Sequence, residues 1–179
     1  MRNFDYIKDI AALRGLYHFC NVAELTQRSA PDQSAINSRL ALKWMAREIY
    51  SIKGMEVGER TSLLELMEGE PFKEFVGSER LMMSLNYVRK VGQAAEHKGN
   101  VSKKESFFAL LTIYNFVGAV LVKLGAVESF PAFDKELIPE RAGVFGQLDQ
   151  LDQLDQLGQL GQLGKLGKLG QLDQLDQLG

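Results

Sequence analysis

Cysteine and histidine are almost absent from this chain: Cys20 stands alone, and His18 and His97 are the only two histidines in 179 residues. One cysteine cannot close an internal disulfide or supply a second thiolate to a metal, and two histidines make a poor zinc set, so neither a metal nor a cofactor is expected. Cys20 reads as a small buried apolar residue. Net charge of one sign is also lacking. The formal charge is −2, and the region 1–145 carries 19 basic against 18 acidic side chains, which is no general footprint for DNA. A leader peptide needs an unbroken apolar stretch, but Asp5, Lys8, Asp9 and Arg14 interrupt the first residues, which points to the cytoplasm. The run Phe107–Val122 is nearly all apolar and flanked by Lys103, Lys104 and Lys123. It falls short of the ~20 residues of a bilayer crossing and has Asn115 in its middle, so the expectation is a central buried helix and no membrane. There is no phosphate loop of the form GxxxxGK[ST], and Gly92 lacks companion glycines at that spacing.

What is present divides the sequence in two. From Gly146 the chain becomes eleven tripeptides of Gly or Asp, then Gln or Lys, then Leu. A three-residue step turns an α-helix by about 300°, so the leucines drift around the axis and build no lasting apolar face. Collagen would need Gly in every unit, and leucine-rich repeats have a much longer period. Residues 141–179 are therefore expected to be a linker and a low-complexity, weakly ordered tail, and residues 1–140 the folded domain.

Within that domain the apolar residues recur at helical spacing, and no segment shows convincing alternation of period two. A first helical region is expected from about Tyr6 to Gln27, ended by "SAPD", where Ser29 can cap and Pro31 can occupy a first turn. Ala35, Ser38, Leu42, Met45, Ile49 and Ile52 give a second helix one core side, and Gly54 stops it. Two short helices follow, "SLLELME" opened by a capping box from Ser62 to Glu65, and "PFKEFVG". Glu65, Glu68, Glu70 and Glu74 read as surface charge. Ser78 starts a long helix whose core side is Leu81, Leu85, Val88, Gly92 and Ala95, and Gly99 closes it. A second capping box, Ser102 to Glu105, begins the last helix, which runs to Gly125. The fold class is all-α: a compact bundle of four main helices with one or two short ones.

The long fifth helix carries Arg89, Gln93 and His97 at intervals of four. His97 lies almost opposite the core side and must face solvent, another element or another chain. Gly92 sits at the centre of the packed side, where a missing side chain permits a neighbouring helix to approach. Around the stripe, Arg89, Lys90, Lys98, Lys103 and Lys104 are offset only by Glu96, a cluster able to meet phosphate.

"NSRLALKWMAREIY", Asn37 to Tyr50, and "LLELMEGEPFKEFVGSERLMMSLNYVRKVGQAAEHKG", Leu63 to Gly99, resemble a helical domain at the N-terminus of many type I restriction endonuclease R subunits and DEAD/DEAH-box helicases. That domain is similar to the HEPN superfamily of small helical bundles, which are often dimers and in many cases ribonucleases of defence systems. The likeness covers about residues 3–138. The family signature of Ile-Arg, two residues, Gly-Asn, three residues and His is similar to Val88-Arg89, Gly92-Gln93 and His97. Two positions depart from it: Gln93 replaces the usual Asn, and Lys43 replaces a Glu that follows the Arg39 motif on the second helix.

In the catalytic relatives His follows Arg by four to six residues, whereas here seven separate Arg89 from His97. Aligning Gly92-Gln93 instead removes the arginine. The resemblance therefore implies a non-catalytic interaction or nucleic-acid-associated module, related to restriction and helicase subunits and to defence. Its interface residues are Arg39, Arg89, Gln93 and His97, and it pairs with itself or docks on such a subunit. The alternative it leaves open is a dimeric, metal-independent ribonuclease using Arg89 and His97, since Arg can steady charge on phosphate and His can move a proton near neutral pH.

Overall fold

The computed structural model describes residues 1–142, and the tripeptide repeat lies outside them. Six α-helices make the domain: α1 Arg14–Thr26, α2 Pro31–Ile52, α3 Leu63–Glu68, α4 Glu70–Val76, α5 Glu79–His97 and α6 Lys103–Lys123. Short 3₁₀ turns occupy Asn3–Ile7, Ala11–Leu13 and Lys135–Leu137, and no strand occurs among the described residues. Met1–Arg141 forms one unit.

The helix starts follow local chemistry. Ser62, Ser78 and Ser102 each accept a hydrogen bond from the third helical N–H, and Glu65 and Glu105 return the capping bond to Ser62 and Ser102. Pro31 takes the first turn of α2, as its missing N–H permits, but Ser29 does not cap; Ala30 stands at that position with no side-chain bond. The expected first helix is shorter at its front. Residues before Arg14 wind as two 3₁₀ turns held by bonds such as Lys8 N to Asp5 O and Leu13 N to Ile10 O. That break lets Phe4 and Ile7 reach full burial.

The main apolar cluster lies at the meeting of α1, α2, α5 and α6, with Leu42, Met45, Ile49, Leu85, Leu110, Ile113 and Tyr114 fully enclosed or nearly so, and a smaller one joins Ala35 of α2 to Val91 and Ala95 of α5. Ile52, placed on the core side by periodicity, is 48% exposed because α2 runs past the body at its last turn. Cys20 and Phe72 are sealed inside, and Tyr114 packs edge-on to Phe4 and Phe133. The central position falls to α2, which meets all five other helices; α6, expected there from the sequence, packs against α1, α2 and α5. Among the described residues it alone is long and apolar enough to cross a membrane, and 56% of its most apolar stretch is buried in the fold.

The turn between α5 and α6 is fixed from outside. Asp32, in the first turn of α2, accepts hydrogen bonds from Asn100 N (3.2 Å) and Val101 N (2.8 Å), while Gly99 and Asn100 both take positive φ.

Candidate functional site

α2 and α5 come closest at Gly92. A Cβ there would lie 2.5 Å from Arg39 Cβ and 2.8 Å from the Ala35 carbonyl oxygen, so only glycine fits. This contact places Arg39 over α5, where Nη2 pairs with Glu96 Oε2 at 2.5 Å. Its Nε is buried without a hydrogen-bond partner. The guanidinium is thus held by packing on one side and by a single carboxylate on the other.

Lys43 follows Arg39 by one turn and Arg47 follows Lys43 by another. Lys43 is half-buried, and its pKa is pushed down first by burial and then by the two flanking arginines, with Glu96 acting in the opposite sense. Arg47 donates to the Gly58 carbonyl at 3.1 Å and so anchors the loop after α2. The α2 edge is a cationic ridge for which Glu96 is the carboxylate counterweight.

On α5, Arg89 is half-buried, donating from Nε to Asn86 Oδ1 (2.9 Å) and from Nη1 to Gln93 Oε1 (3.4 Å). It also lines a cleft of about 490 Å³ between α3 and α5, with Met67, Met82, Met83 and Lys90. Gln93 and His97 are exposed, and the His97 side chain has no hydrogen bond or ion pair among the described residues. His97 stands eight positions beyond Arg89 on the helix, a rise of about 12 Å along the axis. The four residues singled out in the sequence therefore form two pairings and a remainder: Arg89 with Gln93, Arg39 with Glu96, and His97 apart.

A second polar cluster went unnoticed in the sequence. Glu24 is fully buried, its two carboxylate oxygens accepting from Asn3 N at 3.0 and 3.1 Å, with Asn3 Nδ2 also donating at 3.3 Å. Burial outweighs these bonds and the nearby Arg2, so its pKa is pushed up from 4.5 to about 7. Neighbouring Cys20 is sealed and its thiol pushed well up, first by burial and then by Glu24, which rules it out as a ready nucleophile. A signal was available: Glu24 recurs at helical spacing with Leu16 and Cys20 on the buried side of α1, where a charged residue must have a partner.

No protein-family model matches the chain, and neither the curated proteins nor the solved structures yield a match.

Proposed function

We propose that this chain is a non-catalytic, HEPN-like helical module that engages a phosphate-bearing polymer along the α2–α5 edge. It is a cytoplasmic relative of the accessory domain of type I restriction and helicase subunits, it works in defence, and it docks on such a subunit. The observation that carries the nucleic-acid reading is Lys43. It sits between Arg39 and Arg47, half out of water, beside one carboxylate that is already committed to Arg39. Folding brings these like charges together at a cost, and an anionic ligand relieves that cost. Phosphate contacts of this kind give affinity without base specificity.

The test is fluorescence anisotropy of labelled single- and double-stranded RNA and DNA with the full chain over a salt series. Binding that weakens steeply with salt, and drops about tenfold or more for Lys43→Glu, supports the reading. Equal affinity of wild type and Lys43→Glu for every polymer sinks it.

The exposure of His97 favours a second reading, the dimeric ribonuclease. Arg89 is drawn to Asn86 and Gln93 while His97 stands two turns further on without a bond to either, so in that reading two copies bring their Arg89 and His97 to a shared site. Metal-free RNA cleavage that disappears in His97→Ala would establish it in place of the first.

A further inference from the structure

Helix α6 is covered over much of its circumference. Besides α1, α2 and α5, the segment that follows it lies along one flank, where a Cβ at Gly118 would fall 2.5 Å from the Phe130 ring and Phe133 packs edge-on to Phe107 at 5.9 Å. One strip stays open: Phe108 (48% exposed), Leu111, Asn115, Ala119 and Val122 (38% exposed). No charged residue occurs between Glu105 and Lys123, so the strip is uncharged over about four turns. A helix face that meets only water usually carries charge.

The order of residues in the strip says what covers it. Asn115 is the midpoint, with Leu111 and Ala119 four residues to either side and Phe108 and Val122 seven to either side. The large side chains precede the midpoint and the smaller ones follow it. Two copies of the strip laid antiparallel set Phe108 against the partner's Val122 and Leu111 against the partner's Ala119, so that bulk meets room at every step. A parallel pair would force Phe108 on Phe108 and leave a gap between the alanines. The Asn115 side chain makes no hydrogen bond among the described residues, and its amide carries both donors and an acceptor, which two copies related by a two-fold axis can exchange. Antiparallel alignment also opposes the two helix dipoles. Met83, 75% exposed and one turn from the Tyr87 ring that meets Phe108 edge-on at 5.2 Å, widens the apolar surface beside the strip.

We infer that α6 is a homodimerisation element: a second copy of this chain covers the strip, antiparallel, with Asn115 on the two-fold axis. The interface is independent of the cationic ridge on α2, so failure of either proposal leaves the other standing.

Sedimentation velocity of the full chain and cysteine cross-linking test it together. Every cysteine variant is oxidised with copper phenanthroline in air, and fully buried Cys20 serves as the silent background. The full chain should sediment as a dimer, and Ala119→Glu should weaken the dimer by about tenfold or more while circular dichroism stays unchanged. Asn115→Cys should link to itself. Phe108→Cys and Val122→Cys should link rapidly when mixed and slowly when each is alone. A chain that stays monomeric at hundreds of micromolar overturns the inference, as does a Phe108→Cys variant that links to itself as fast as the mixture does. Flotation of the monomer with lipid vesicles, blocked by Ala119→Glu, would assign the strip to a membrane and overturn it equally.

Discussion

Asn3 and Asp134 clasp one another across 131 positions of sequence: Asn3 Nδ2 donates to the Asp134 carbonyl oxygen at 2.9 Å, and the Asp134 N–H donates to Asn3 Oδ1 at 2.7 Å. The same Asn3 amide reaches Glu24, so one side chain joins the first turn, α1 and the last turn of the domain.

Asn3→Ala should therefore cost about 2–3 kcal/mol in a denaturant titration, since it removes three bonds and leaves the Asp134 N–H without its acceptor. Hydrogen exchange should locate the loss, with amides of 131–138 exchanging faster before the helices do.

Glu24 sets a pH dependence. Its folded pKa of about 7 lies above the ordinary 4.5, so between those values the folded chain holds a proton that the unfolded chain has released. The contribution to stability is complete below about pH 4.5, falls as pH rises to 7, and levels off above it, a span of roughly 3 kcal/mol. Stability curves of wild type and Glu24→Gln should diverge over that window, with the wild type losing ground as pH rises. Parallel curves would refute the assignment.

Gly92 and Gly118 should respond differently to alanine, although both are helical and both are crowded. At Gly92 the added carbon meets the Ala35 backbone and the Arg39 Cβ, neither of which can turn aside, and strain of about 1–3 kcal/mol should exceed the ~1 kcal/mol gained in helix propensity. At Gly118 the atoms nearest to it are those of the Phe130 ring, which belongs to no helix and can shift. Thermal melts should show the larger drop for Gly92→Ala.

Glu96→Gln should raise affinity for nucleic acid, because it releases Arg39 and removes the carboxylate beside Lys43. Its cost in stability should stay near 1 kcal/mol, because the Glu96 carboxylate is open to water and a glutamine can still accept from Arg39. His97→Ala should leave stability within experimental error, since the exposed imidazole bonds to nothing in the fold, which melting would report.

Much of the fold could be read from local signals. The serine caps at 62, 78 and 102 and the glycine stops at 54, 99 and 125 mark boundaries through short-range chemistry, and they fall where the helices begin and end. The role of Gly92 was legible too, since a glycine at the centre of an apolar side weakens its own helix and gains only the room it leaves for a neighbouring backbone. What could not be read depended on contacts distant in sequence. Nothing near Arg39 announces Glu96, 57 positions away, and the 3₁₀ winding before Arg14 is fixed by burial of Phe4 and Ile7 against helices far along the chain. The stripe of Arg89, Gln93 and His97 showed which residues share a side of α5, but not that Arg89 would turn toward α3 and leave His97 alone.

The two bonds that Asp32 makes to the backbone at residues 100 and 101 decide where this domain tolerates interruption. To the eye, the glycine-asparagine bend before the last helix is the obvious place to splice in a guest sequence, yet it is riveted to a helix start nearly seventy residues upstream. Gly54 and Gly125, whose surroundings are open, are the seams at which the chain can be lengthened without disturbing the bundle.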